Sequence, residues 1–310
     1  MNKSKPPHLC RGDVIGICAP AGPILDREKL DRGIHYLEQL GYRVQLGKHM
    51  YKQHGYLAGT AKERAGDLNT FFKNKNVKAI FCARGGFGVQ HILPLLDYRL
   101  IRRNPKIVVG YSDITALHLA LLSKAGLTSF SGPMVVEVPE TFDKKSEDMF
   151  WRSMTSSTPL DPLSPTGEEL HRGARSVATG RLIGGNLSLV AALVGTPYLP
   201  DMKGTVLSLE EIDERPYRVD RLLQQLKLSG VLPSAKGVML GDFTDCTPVK
   251  GKPSLKLPEI FKQAFESYQI PVVSGFRYGH VRHSLTLPVG IRVRINGVKN
   301  RLEFLEAGVA

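Results

Sequence analysis

Cysteine is scarce in this chain. Among 310 residues there are four, Cys10, Cys18, Cys82 and Cys246. No two form a C-x-x-C pair, and none lies in a Cys/His cluster at zinc spacing, so no metal site is expected. Scattered thiols fit a reducing compartment, with the cysteines buried or inert. Long apolar runs are also missing: nothing approaches the roughly 18 uninterrupted apolar residues that suggest a membrane-spanning helix. The early segment "VIGICAPAGPI" is broken by Pro and Gly and follows Asp13. That makes it a poor secretory leader and a good first strand and loop. A cytoplasmic protein with no membrane partner is expected. No internal repeat of fixed period appears.

What the chain has in excess is positive charge. Lys and Arg number 42 against 29 Asp and Glu, a formal net charge of +13. The basic residues are spread along the chain, with no basic tail and no interleaving of aromatics that would stack bases. No nucleic-acid partner is expected. The surplus reads as a solvated basic surface, with a field that would attract a small polyanionic substrate.

Strand-like and helix-like segments alternate through the first half. "RGDVIGICAPAGPI" is a strand and loop. "DREKLDRGIHYLEQLGY" places Leu30, Ile34, Leu37 and Leu40 on one helix face and stops at Gly41. "RVQLGKHM" is a strand, and "TAKERAGDLNTFFKNKN" is a helix with Thr60 and Glu63 spaced as a capping box. "VKAIFCARGGFG" and "KIVVGYSD" are further strands, each leaving through a glycine-containing turn into a helix. This alternation predicts a flavodoxin-like parallel sheet flanked by helices, with ligands beyond the carboxyl ends of its strands. The loops "CAPAGP", "ARGGFG" and "GYSD" lie at such ends. Residues 139–175 read as a connection with a short helix around "SEDMFWRSM". From Thr179 onward comes a mixed α/β region with a small sheet or barrel. In it, "ATGRLIGGNLSLVAALVG" holds a Gly-rich turn and a helix, and "IRVRINGVKNRLEFL" is a hairpin. Two domains are expected, residues 1–160 and 161–310.

Ser112 lies where a strand-turn-helix lifts a side chain beside a helix N-terminus, whose free N–H groups favour a developing oxyanion. The spacing is G-x-S-x-I, an incomplete form of the hydrolase elbow, and Ser112 or Asp113 also reads as a plain helix cap. A nucleophilic serine needs a base and an orienting acid. His118 and His91 fall within helices. His280 lies in the Gly- and Pro-punctuated loop "SGFRYGHVRHSLTLPVG", with His283 beside it. Glu210 and Glu211 end the strand "VLSLEE", and alternation along a strand points them to opposite faces. Pattern alone does not choose between the two. Arg84 precedes the Gly-Gly turn and reads either as a structural ion-pair partner or as a bidentate clamp for a substrate carboxylate.

These blocks together resemble the LD-carboxypeptidase family, which includes muramoyltetrapeptide carboxypeptidases and microcin C immunity-type serine peptidases. The resemblance is carried by "ICAPAGP", "FCARGGFGVQHILPLLD", "VVGYSDITALHLAL", "GRLIGGNLSLVAALVGTPY", "LSLEEIDERPYRVDRLLQQL" and "GHVRHSLTLPVG". It covers nearly the whole chain, and "YRVDRLLQQL" fits the muropeptide branch better. The resemblance implies a Ser112, Glu210, His280 triad and an oxyanion hole from the backbone N–H groups of Gly86 and Asp113. It selects Glu210 over Glu211, and leaves Glu211 as a solvated or inter-strand charge. The implied reaction is cofactor-free release of terminal D-alanine from an anionic muropeptide, by an enzyme whose relatives are often homodimers. A peptidase for peptidyl-nucleotides such as microcin C, and a non-catalytic muropeptide-binding module, are the alternatives.

Overall fold

The computed structural model describes residues 4–310. In chain order its elements begin β1 (Val14–Cys18), α1 (Arg27–Gln39), β2 (Arg43–Leu46), α2 (Ala61–Lys73), β3 (Val77–Cys82) and α3 (Val89–Ile92). They continue with α4 (Tyr98–Arg103), β4 (Ile107–Gly110), α5 (Thr115–Ala120), β5 (Ser129–Ser131) and α6 (Lys144–Thr155). The second half holds β6 (Val177–Asn186), α7 (Leu187–Ala192), β7 (Val206–Ile212), α8 (Pro216–Leu228), α9 (Val231–Ser234) and β8 (Gly237–Thr244). The chain closes with α10 (Leu257–Phe265), β9 (Val272–Val273), β10 (Leu287–Val289), β11 (Arg292–Asn296) and β12 (Arg301–Phe304).

The first sheet runs β10-β5-β4-β3-β1-β2. Its β2-β1-β3-β4-β5 portion is parallel and has the doubly wound order of flavodoxin-like folds. Strands β1 and β4 are buried along their whole length, which is why they read as continuous apolar runs. Helix α1 is capped by Asp26, whose carboxylate accepts from the Lys29 amide at 3.0 Å, and it buries Leu30 and Leu37. Helix α2 carries the expected Thr60/Glu63 capping box. The β1, β3 and β4 carboxyl ends open on one side, and the three anticipated loops gather there.

The second sheet runs β12-β11-β6-β7-β8-β9, with β6 to β9 parallel and β11 and β12 antiparallel. The β11–β12 pair is the anticipated hairpin. The two halves are not cut cleanly at residue 160. Strand β10, from the second half, pairs antiparallel with β5 of the first sheet, and the C-terminal Ala310 amide donates to the carbonyl of Pro6.

The structure departs from the sequence reading at two points. The "ATGRLIGG" segment is not a turn but part of β6, a ten-residue strand. Its glycines serve close approach: a Cβ on Gly184 would lie 1.9 Å from the Ser208 carbonyl oxygen on β7. Helices α4 and α10 were not anticipated; α4 is a short turn capped by Asp97, and α10 is entered through Pro258. Cys18, Cys82 and Cys246 are buried and Cys10 is exposed. No helix among the described residues is long and apolar enough to cross a membrane.

Candidate active site

The chain leaves β4 at Gly110 and bends sharply at Ser112, whose φ of 64° is unusual for a residue with a side chain. Such left-handed backbone costs on the order of 1–2 kcal/mol and persists only where the surroundings impose it. Here they do. The Gly110 carbonyl accepts from His118 Nε2 at 2.7 Å and from the Gly132 amide at 3.2 Å, which fixes the strand end. His118 also meets Ser129 Oγ at 2.8 Å through Nδ1, and burial pulls its pKa down to about 4. It is therefore a neutral structural donor buried under the turn.

On the other side of Ser112, the Asp113 carboxylate accepts from the Val89 amide at 2.8 Å. This ties the serine turn to the "ARGGFG" loop at the start of α3. Burial raises the Asp113 pKa to about 6, with Val89 and the nearby Arg64 guanidinium opposing. Arg64, itself buried, donates to the carbonyls of Pro20 and Gly88 and so links the first and second loops. Gly85 packs so closely that a Cβ there would lie 3.1 Å from Ser112 Cβ. The amides of Gly86 and Asp113 donate to no carbonyl of the chain among the described residues.

The second sheet supplies the histidine and the acid. His280 Nδ1 lies 2.8 Å from Glu210 Oε2, and the Glu210 residue is 1 % exposed. Glu210 stands at the end of β7, where the register against β8 shifts. Gly279 makes the pairing feasible. It has φ 118°, and a Cβ on it would lie 2.5 Å from Glu210 Oε2. The chain thus passes directly over the carboxylate before presenting the imidazole. Burial pushes the His280 pKa down, but the Glu210 hydrogen bond and the charges of Glu210, Glu137 and Glu211 outweigh it. The net direction is up from the ordinary value of 6.5. Burial has the opposite effect on the acid and raises Glu210, opposed by His280 and Asn186.

Glu211 is not a solvated charge. It is 2 % exposed and accepts from Asn186 Nδ2 at 2.7 Å, Ser188 N at 2.9 Å, Ser188 Oγ at 2.6 Å and Ile212 N at 3.0 Å. It thereby caps α7. The same Asn186 donates its amide to Thr115 Oγ1 at 3.0 Å, and Ser131 Oγ meets Tyr278 OH at 2.9 Å. These bonds clamp the serine-bearing sheet to the Glu210-bearing sheet.

Ser112 and His280 line one cavity of about 430 Å³ together with Arg84, Gly85, Gly86, Tyr111, Met134, Glu137, Leu25, Asp26, Lys29 and Val136. No hydrogen bond joins Ser112 to His280 in this structure; a free site commonly tightens such contacts only with substrate bound. Arg84 faces the cavity and donates to the Pro23 carbonyl at 3.1 Å, without an ion pair among the described residues. His283 turns away, with both its amide and its Nδ1 on the Thr141 carbonyl. Among the cavity residues that were not anticipated are Tyr111 and Glu137. Tyr111 OH donates to Glu137 Oε1 at 2.5 Å, and the Tyr111 ring lies 4.9 Å from the His280 ring. No group of three or more His, Cys, Asp or Glu arranged for a metal ion occurs among the described residues.

A serine on a strained turn, amides beside it that donate to no carbonyl among the described residues and a histidine bonded to a buried carboxylate are groups of the kind a serine hydrolase uses. Residues 15–132 match the LD-carboxypeptidase N-terminal domain and residues 179–295 match the LD-carboxypeptidase C-terminal domain. The chain belongs to the LD-carboxypeptidase family and is a hydrolase of that family. It is 42% identical over 311 residues to a probable murein peptide carboxypeptidase of Bacillus subtilis strain 168, covering 99% of this chain and 95% of the relative. Its fold matches the structure of the microcin C7 self-immunity protein MccF in complex with glutamyl sulfamoyl guanosine, with TM-score 0.89, 26% identity and 99% of each chain covered. It also matches a muramoyltetrapeptide carboxypeptidase from Oxalobacter formigenes, with TM-score 0.80 and 31% identity over 94% of this chain and 97% of that one.

Proposed function

We propose that this protein is a serine carboxypeptidase that releases terminal D-alanine from muramoyl tetrapeptides derived from peptidoglycan. The observation that carries the reading is the 2.8 Å His280–Glu210 bond set against the cavity that holds Ser112. With Nδ1–H committed to Glu210, Nε2 of a neutral His280 is the proton acceptor. It takes the Ser112 proton as Oγ attacks the carbonyl of the residue before D-alanine. The tetrahedral oxyanion is met by the amides of Gly86 and Asp113. The C–N bond breaks, His280 returns the proton to the departing amine, and D-alanine leaves with an acyl group on Ser112. Water, activated by the same histidine, hydrolyses that ester. Glu210 holds the tautomer and stabilises the imidazolium. Arg84 takes the terminal carboxylate, since a guanidinium matches a carboxylate in two hydrogen bonds.

The 42% identity to a probable murein peptide carboxypeptidase supports the murein substrate over a peptidyl-nucleotide. The test is incubation with a muramoyl tetrapeptide and detection of free D-alanine by mass spectrometry. An all-L tetrapeptide should remain intact, and a pentapeptide ending in D-Ala-D-Ala should be largely untouched. Equal cleavage of pentapeptide and tetrapeptide overturns the LD-specific reading. Cleavage of an aminoacyl-sulfamoyl adenylate with the tetrapeptide untouched transfers the assignment to peptidyl-nucleotides.

A further inference from the structure

The constellation described above uses one carboxylate, Glu210, and leaves without a role another, Glu137, on the wall of the cavity. Glu137 closes a short 3-10 turn, Val135–Glu137, in the connection after Pro133. It is only half-buried as a residue, but its carboxyl group is set into the wall of the cavity and is raised by burial above the ordinary glutamate value. Both its oxygens are engaged, Oε1 by Tyr111 OH at 2.5 Å and Oε2 by the Met134 amide at 2.8 Å. The Tyr111 ring in turn lies 4.9 Å from the His280 ring, inclined at 55°. Tyr111 immediately precedes Ser112, so one side chain touches the histidine while its backbone leads into the serine turn.

We infer that Glu137 and Tyr111 form a positioning pair for His280, in which the carboxylate anchors the phenol and the phenol ring holds the imidazole in line with Ser112. The inference rests on His280 being the base of the proposed reaction. Three features support it. The phenol is locked at both ends, by Glu137 at its hydroxyl and by the serine turn at its backbone, so its ring has one place to lie. Burial, followed by the adjacent Glu137 charge, raises the Tyr111 pKa well above its ordinary value, so the hydroxyl remains a donor across the working range. Glu137 also faces the imidazole as a second negative charge and favours the imidazolium. The charged groups around His280 are then Glu210 and Glu211 from β7 and Glu137 from the 135–137 turn, with Arg84, Lys29 and Asp26 on the remaining cavity wall.

The two residues act by different routes, and the variants separate them. Glu137→Gln removes the charge and weakens the anchor. The imidazolium loses one stabilising carboxylate, so the His280 midpoint, read from its imidazole NMR signals without substrate, should move to lower pH. The acid limb of kcat/KM for tetrapeptide should move the same way, with kcat down about tenfold, the scale of one lost charged hydrogen bond, and KM within about twofold. Tyr111→Phe leaves the charge but cuts the anchor. It should lower kcat by a similar factor with a smaller change in the midpoint, and Glu137→Asp should recover part of the Gln variant's loss. An unmoved His280 midpoint in folded Glu137→Gln overturns the inference. So does a raised KM at unchanged kcat, which would make Glu137 a substrate-binding group, or wild-type kcat in Tyr111→Phe. Because the titration needs no substrate, it stands or falls separately from D-alanine release.

Discussion

Among the described residues are two histidine–carboxylate pairs of nearly the same geometry. His280 Nδ1 lies 2.8 Å from Glu210 Oε2, and His49 Nδ1 lies 2.9 Å from Asp67 Oδ1. Both carboxylates are almost wholly buried, both imidazoles are partly so, and each pair borders a cavity, of about 430 and 410 Å³. What differs is the company. Asp67 spends its second oxygen on the His49 amide at 2.9 Å, so that pair fastens the loop after β2 onto α2. The one hydroxyl on its cavity, Thr70, sits well inside α2, where helix geometry leaves no free amides beside it. Glu210 fastens no loop amide. Its histidine shares a cavity with a serine held at positive φ and a second carboxylate, and the two backbone amides beside that serine donate to no carbonyl among the described residues. A histidine–acid bond is therefore not diagnostic on its own; the strained serine and the amides around it are.

Four substitutions break or sharpen this contrast, in descending order of effect. Ser112→Ala should lower turnover by at least about four orders of magnitude, because the members of a triad act as a unit. Stability should change by less than about 1 kcal/mol, since no side chain caps the 112–114 turn; thermal melting and steady-state kinetics check both. Glu210→Gln should cost about a thousandfold in kcat with the fold retained, by analogy with replacement of a triad acid. Glu211→Gln, one residue on, should reverse the balance: about 2 kcal/mol of stability lost from the α7 cap, measured by urea unfolding, and a turnover loss of no more than about tenfold. Asp67→Asn should leave kcat/KM within about twofold while costing about 1 kcal/mol of stability. A dead Asp67→Asn with an active Glu210→Gln would invert the assignment of the two pairs.

The His280–Glu210 pair also sets a pH dependence with opposite signs for activity and stability. The proposed base must be neutral, and the net effect on His280 is to raise its pKa above 6.5. The acid limb of kcat/KM should therefore lie above 6.5, and activity should rise with pH through it. For stability the sign is reversed. A histidine whose pKa is higher folded than unfolded contributes fully below the unfolded value, and that contribution fades as pH rises through the folded value.

The serine half of the site was legible because it is local. Strand, glycine turn and helix follow one another within "ARGGFG" and "GYSD", and the doubly wound pattern says which ends of the strands converge. The acid and base were not legible from spacing: Glu210 and His280 stand 70 positions apart, and only resemblance to a family joined them. Strand alternation put Glu210 and Glu211 on two faces without choosing between them; of the two readings left for Glu211, solvated or inter-strand, the solvated one fails, because the face opposite His280 is not solvent but the end of β6 and the start of α7. Glu137 escaped notice since it lies in the irregular connection after Pro133. The available signal was an isolated acid inside the apolar run "MVVEVP", a costly position unless the carboxylate has partners. "GRLIGGN" misled for a related reason: paired glycines signal a turn locally, whereas here they let β6 approach β7.

The central claim is that Ser112, facing the His280–Glu210 pair, carries the acyl group. The most direct measurement is rapid quenching of the protein with muramoyl tetrapeptide, followed by proteolysis and mass spectrometry. The account predicts a burst of D-alanine matched by a muramoyl-tripeptide adduct on the fragment containing Ser112 and mapped to that residue. A D-alanine burst with the adduct on any other residue, or undiminished release by Ser112→Ala, would contradict it.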